Sequence, residues 1–332
     1  MQLEDYISAE RLKIYTEVLK LKPGEEQGGY NWNKALCSAM QPLLHCLEVT
    51  LRNAIDHAIR HNPPPGAIGH WRTDTNWIFD LPRYMGDKAW IRQGKRYRLD
   101  RHGDIQHRHG MPVYDRTAWE EDCIRKVAKR IRDAGKLPTA ERLISGLDFG
   151  FWTNFLTQHY DEPRHRSLLW PHLLADVFPG APAGTPRHAI EKKFSRIREL
   201  RNRLAHHEAI WKFQETNPLT GKPDYSRPIY GLNASLHLLR RSWDDMLEAL
   251  NWLSPVRYET FKTQGHHVRF ETLASADGLA SFTGREQLPH ALNIRRSQEI
   301  KKLLRGLQQQ KIVKLTHKRR IIAIIGPDFI RR

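Results

Sequence analysis

From Trp32 to His61 the apolar residues Leu36, Met40, Leu43, Leu44, Leu47, Leu51 and Ile55 recur every three or four positions. That spacing lines one face of an α-helix about eight turns long. A stripe of that length must be covered along its whole run, and this commits the chain to a mainly α fold. Pro42 predicts a kink or a boundary between two helices. Pro63, Pro64, Pro65 and Gly66 end the run.

The flanking segments read in the same way. Residues 5–22 form a helix with Ser8 as N-cap and Leu12, Tyr15 and Leu19 on one face, and Gly24, Gly28 and Gly29 break the chain after it. Residues 116–134 form a basic amphipathic helix. Thr139 caps another that runs to about Asp148. Phe149 to Tyr160 is aromatic-rich core, and residues 163–178 form a further helix before the loop Pro179 to Pro186. A helix starting near Arg187 ends before Asn217 and Pro218. Pro218 to Tyr230 is turn-rich, and Leu232 to Leu253 is again helical.

Residues 66–115 are irregular. Trp71, Trp77, Trp90, Tyr84 and Tyr97 stand among Arg72, Arg83, Arg92, Lys95, Arg96 and Arg98, followed by a His/Arg cluster from Arg101 to His109. Interleaved aromatics and cations suit stacking on unpaired bases with phosphate contact. A long insertion that packs its tryptophans on the helical core would have the same composition.

The polar face of the first long helix carries a motif that occurs twice. Leu51, Arg52, Asn53, Ala54, Ile55, Asp56 and His57 match Leu200, Arg201, Asn202, Arg203, Leu204, Ala205 and His206 at four positions, with Ile against Leu at a fifth. At about 100° per residue, an Arg set at zero places Asn at about 100° and His at about 140°, with the two apolar residues opposite. Arg, Asn and His thus share a polar arc while the other side seats in a core.

RNA carries its own nucleophile, the 2′-hydroxyl. Cleavage needs a base for that proton, an acid for the leaving 5′-oxygen, and cations on the charge that builds at phosphorus. Histidine serves as either acid or base near neutrality, and arginine grips phosphate bidentately. No metal or other cofactor is required. The expected catalytic residues are Arg201, His206 and Asn202, with Arg52, His57 and Asn53 as the second set, facing one cleft. Arg52 and Asn53 could instead be a structural hydrogen-bonding pair. His207 lies at about 240° in this frame, off the arc. Glu208 could hold a histidine tautomer or pair with a nearby arginine. His206, His207, His266 and His267 lack zinc-ligand spacing.

The formal charge of +17 favours a polyanionic partner. Contacts to RNA are expected from Arg203, His207, Arg92, Lys95, Arg96, Arg98, Lys318, Arg319 and Arg320. Three cysteines, Cys37, Cys46 and Cys123, lack the spacing of a disulfide framework or a thiolate zinc site. With no apolar leader at the N-terminus and no apolar run long enough to span a bilayer, a cytoplasmic protein without a membrane partner is expected.

Composition shifts after Ser254 and Pro255. Residues 256–332 hold 16 Lys/Arg against 6 Asp/Glu, a net +10. A basic accessory module is expected there, α+β in character. It has a helix from Ser297 to Gln309 and a β-hairpin from Lys311–Leu315 and Ile321–Ile325 with a cationic tip.

The run Ile197 to Glu208 (IRELRNRLAHHE), followed by Ile210 and Trp211, resembles the signature of the Abi-like (abortive infection) phage-resistance proteins of the HEPN ribonuclease superfamily. Supporting stretches are Ser8 to Tyr15, YNWN at 30–33, LEVTLRN at 47–53, LISGLDFGFW at 143–152, Leu169 with Trp170, and Val177 to Pro179. The resemblance covers about residues 5–253, and Ala209 stands where the family usually has proline. It implies a HEPN-type helical bundle over residues 1–255 and cleavage leaving a 2′,3′-cyclic phosphate. It implies a toxin-like, anti-phage role, with Arg201 and His206 catalytic and Asn202 in support. It also implies restraint by a neighbouring non-coding RNA. Many HEPN proteins carry one motif per chain and complete the site in a homodimer. Two motifs in one chain, as in type VI CRISPR effectors, allow an intramolecular site in a monomer. The C-terminal hairpin faintly resembles that of Phd/YefM antitoxins.

Two other classes fit the same residues. A non-catalytic RNA-binding or regulatory protein on a HEPN scaffold would bind RNA without cutting it. A DNA-binding repressor using residues 256–332 would prefer duplex DNA.

Overall fold

The computed structural model of the chain describes residues 7–62, 77–79, 107–112, 119–161, 169–283, 291–293, 297–309, 313–317 and 320–325. The architecture is mainly α. Helices α1 (Ala9–Glu17), α2 (Glu26–His61), α3 (Trp119–Asp133), α4 (Ala140–Gly146), α5 (Phe149–Asn154), α6 (Leu174–Val177) and α7 (Arg187–Ala205) come first. Helices α8 (Leu232–Leu253), α9 (Pro255–Lys262), α10 (His266–Leu273), α11 (Ala276–Thr283) and α12 (Ser297–Gln308) follow. Two small antiparallel ribbons pair β1 (His107–Arg108) with β2 (Met111–Pro112) and β3 (Gln214–Thr216) with β4 (Pro223–Pro228). A three-stranded sheet has the order β5 (Ala291–Asn293), β6 (Val313–His317), β7 (Arg320–Ile325), with β5 parallel and β7 antiparallel to β6. No described helix is long and apolar enough to cross a membrane.

The chain divides into two compact units. The first comprises residues 1–45, 199–248 and 256–332, the second residues 46–198 and 249–255.

In the first unit, the Ser8 hydroxyl caps α1 by accepting from the Arg11 amide at 3.4 Å. Helix α2 begins at Glu26, so Gly28 and Gly29 lie inside it, where a break was expected. Packing explains the difference. A Cβ on Gly28 would collide with the Phe282 carbonyl oxygen of α11 and come within 2.9 Å of the Thr283 Cα. A Cβ on Gly29 would meet the Tyr15 ring at 2.7 Å. Both glycines are the condition for close helix approach rather than a turn. Pro42 is likewise accommodated within one continuous helix.

Helices α9 to α11 belong to this unit's core, so the compositional shift at Ser254 and Pro255 is not a break in packing. Trp32 Nε1 donates to the Leu273 carbonyl at 2.7 Å. Trp243 stacks on Phe270 with centroids 4.2 Å apart and planes 9° from parallel, and Arg240 Nε donates to the Ala274 carbonyl. Further along, α12 and the hairpin of β6 and β7 sit where the sequence places them. Strand β5, too short to announce itself by alternation, adds a parallel partner to β6.

The second unit is built on aromatics. Phe149, Phe151, Trp152, Phe155, Tyr160, Trp170, Phe178 and Phe194 are buried together, with edge and tilted ring contacts among them. Thr139 caps α4, which ends at Gly146. The Asp148 carboxylate then accepts from the Phe151 amide at 2.8 Å and starts α5. Arg187 ties the start of α7 to the segment after α5 through Asp161 (2.8 Å) and the Leu156 carbonyl, and pairs with Glu191 one turn along its own helix. The insertion contributes Trp77, which is 0% exposed, meets Trp152 edge-on and donates from Nε1 to Asp56 Oδ1 at 2.7 Å. At Trp77, then, the aromatic insertion packs on the helical core.

Candidate functional site

The second motif lies at the C-terminal end of α7. Leu200 and Leu204 are buried, Arg201 is half-buried, and Asn202 and His206 are exposed. The helix ends at Ala205, well short of the expected limit. The His206 amide still donates to the Asn202 carbonyl at 2.9 Å, so the helical path reaches the motif histidine. His207 then turns into the left-handed region at φ 56°. Its amide donates to the Leu204 carbonyl (3.1 Å) and the Glu208 amide to the Arg203 carbonyl (3.0 Å). These two bonds form a Schellman closure, with histidine where glycine is usual.

Two buried polar side chains hold this turn. The Arg203 guanidinium, 17% exposed, donates to the Lys212 carbonyl at 2.6 Å and to the Ala209 carbonyl, and Glu208 lies 3.5 Å from its Nε. It also sits over the Phe213 ring at 5.6 Å. Burial pulls Arg203 below the ordinary arginine range, with Glu208 and Glu199 pulling the other way. Asn33 of α2 is 3% exposed, and its side chain donates to the Glu208 carbonyl and accepts from the Ile210 amide, both at 3.1 Å. Below the turn, Trp211 packs on Tyr15. Burial raises the nearby Cys37 thiol to about 11, against a smaller opposing pull from Arg203.

Arg203 is therefore a structural brace, where an RNA contact was expected. Of the two readings for Glu208, the arginine pair is the one formed. The side chains of Arg201, Asn202 and His206 make no hydrogen bond or ion pair among the described residues. The braced turn leaves the motif's three polar groups open.

The first motif lies mid-way in the C-terminal half of α2. Its burial repeats the second: Leu51 and Ile55 inside, Arg52 half-buried, Asn53 and His57 exposed. Its side chains are engaged differently. Arg52 Nη1 donates to the Ser145 carbonyl at 3.2 Å. Arg52 and Asn53 line an open cleft of about 210 Å³ with Asp56, Arg60, Glu141, Ile144 and Ser145, and His57 is not among its walls. His57 instead stacks on His61 at 4.0 Å, and His61 Nδ1 donates to the His57 carbonyl. Asp56 holds Arg60 at 2.7 Å while receiving the Trp77 indole.

Of the other residues expected to touch RNA, Arg92, Lys95, Arg96, Arg98, Lys318 and Arg319 lie outside the described residues. Arg320 opens β7. Among the described residues no three His, Cys, Asp or Glu side chains gather as a metal-binding group.

Sequence reasoning quoted Asn33 within the YNWN stretch but gave it no bracing role. Its signal was available, since it falls on the apolar stripe of α2, three residues before Leu36, where a polar residue must find partners. It also passed over the β3–β4 hairpin, because neither strand alternates apolar with polar. Comparison with protein-family models, curated proteins and solved structures returned no match.

Proposed function

We propose that this chain is a metal-independent endoribonuclease of the Abi-like, HEPN type, acting through the motif at the end of α7. One observation carries the reading: Arg201, Asn202 and His206 have no hydrogen-bond or ion-pair partner among the described residues, on a turn that Arg203 and Asn33 brace. A catalytic constellation has this form, with free functional groups on a fixed support.

In the reaction, the 2′-oxygen attacks phosphorus, the P–O5′ bond breaks, and a 2′,3′-cyclic phosphate and a 5′-hydroxyl result. One proton leaves the 2′-hydroxyl for a base and one is given to O5′ by an acid. His206 performs one transfer, and a second histidine of the same motif type performs the other, in this chain or in a second copy of it. Arg201 stabilises the charge on the phosphoryl oxygens, and Asn202 orients the phosphate by hydrogen bonding. A toxin-like role, restrained by a non-coding RNA, accords with the strongly basic chain.

The test is His206→Ala. Cleavage and any growth toxicity should vanish while RNA binding persists, and EDTA should leave the wild-type rate unchanged. Cleavage by the His206 variant would refute the assignment. Tight, salt-sensitive RNA binding without cleavage by the wild-type chain would instead make it a binding protein. His57→Ala, measured beside it, tells whether the first motif takes part.

A further inference from the structure

The hairpin of β3 and β4 follows the motif turn directly. Its base is anchored to that turn: Phe213 lies under the Arg203 guanidinium, and the Ile229 amide donates to the Phe213 carbonyl at 2.9 Å. At its far end, the Asn217 side chain accepts from the Leu219 and Thr220 amides and closes the loop. The hairpin is thus built at both ends.

The ladder between those ends is irregular. Gln214 pairs with Pro228, but the next residue, Glu215, pairs with Asp224. Tyr225, Ser226 and Arg227 are therefore looped out of register. The bulge is tied on both sides, by Arg227 to Glu215 at 3.1 Å and by Ser226 Oγ donating to Asp224 Oδ1 at 2.6 Å. Tyr225 protrudes from it, 74% exposed. At the foot of β4, Tyr230 is 57% exposed, with the Lys20 ammonium 4.9 Å over its ring. Lys20 itself takes a left-handed φ of 66°, and the Gly231 amide fixes this corner by donating to the Val18 carbonyl.

The two acids of the ribbon are satisfied, Glu215 by Arg227 and Asp224 by Ser226. Lys20, Lys212 and Lys222 have no carboxylate partner among the described residues. An occupant of this surface must offer flat faces to the tyrosines and negative charge to the lysines. An unpaired RNA strand offers both, whereas a duplex hides its base faces.

We infer that the β3–β4 hairpin is a base-stacking platform for single-stranded RNA, with Tyr225 as its principal stacking residue. The inference rests on the nuclease reading and adds to it that the substrate is unpaired beside the cleaved phosphate.

The full-length His206→Ala chain, with a 12-nucleotide unstructured RNA as probe, provides the test. Adding Tyr225→Ala should weaken binding about tenfold without changing the salt dependence, since stacking releases no counterions. Tyr225→Phe and Tyr225→Trp should restore it, and a blunt RNA duplex should bind both chains alike. Crosslinking of a 5-iodouridine probe should map to the Tyr225 peptide. Unchanged single-strand affinity in Tyr225→Ala, an equal loss for duplex, or failure of aromatic replacements to rescue would overturn the platform. No binding by the parent chain would overturn it as well. The readout is independent of cleavage. A wild-type chain that binds through Tyr225 but never cuts would sink the nuclease reading and leave the platform standing.

Discussion

At the residue scale, the turn after α7 separates groups that act from groups that hold. The polar arc expected from helical geometry is followed as far as His206 and ends there, because His207 leaves the helix. That departure puts an L-residue in the left-handed region, which costs about 1 kcal/mol relative to glycine. His207→Gly should therefore raise stability by about that amount, measured by denaturant unfolding; an unchanged or lower midpoint would mean that the left-handed histidine carries no such strain. Asn33→Ala removes two hydrogen bonds from a buried position, at a cost of about 1–3 kcal/mol. Assayed well below the melting temperature, it should lower kcat and leave KM near wild type, because the RNA still binds while His206 is no longer held. A variant with kcat intact would make Asn33 a stabilising residue and nothing more. The motif itself was legible from spacing alone. That Asn33, on the apolar stripe, must find partners was legible too; which backbone carbonyls and amide Asn33 and Arg203 hold was not, since no side-chain pattern reveals them.

At the element scale, α2 shows how local propensity yields to packing. Gly28 and Gly29 read as a break, and Pro42 as a kink or boundary, yet one helix of 36 residues contains all three. Its stripe from Leu36 to Ile55 is buried throughout, and that continuous burial outweighs three unfavourable residues. Gly28→Ala would gain up to about 1 kcal/mol in helix propensity. It would also force its methyl into the backbone of α11, which cannot move aside as a side-chain end can. The expected net effect is a loss of about 1–3 kcal/mol, visible as a lower unfolding midpoint. A neutral or stabilised variant would mean that α11 does not pack so closely on α2. The β3–β4 hairpin makes the converse case. Both its faces are polar or exposed, so no alternation marks it, and hydrogen bonding to the chain beside the motif turn holds it instead.

At the scale of the whole molecule, charge and packing divide the chain in different places. The basic composition begins after Pro255, but Phe261, Phe270, Leu273 and Leu279 beyond that point are buried. Truncation before Pro255 should strip Trp32 of its carbonyl partner and Trp243 of its stacking partner, leaving a chain that fails to unfold cooperatively. Truncation after Thr283 should keep the helical circular dichroism and a cooperative transition; equal behaviour of the two would disprove this division. The mainly α class, the apolar stripe of the central helix and its end at His61, the repeated Arg-Asn-His motif and the C-terminal hairpin could all be read from order and spacing, because each depends on neighbours within a few turns of chain. Where α2 begins, which arginine braces the motif turn, and how Tyr225 comes to face solvent depend on atoms brought together from far along the chain. Contacts of that kind leave no periodic trace for a linear reading to find.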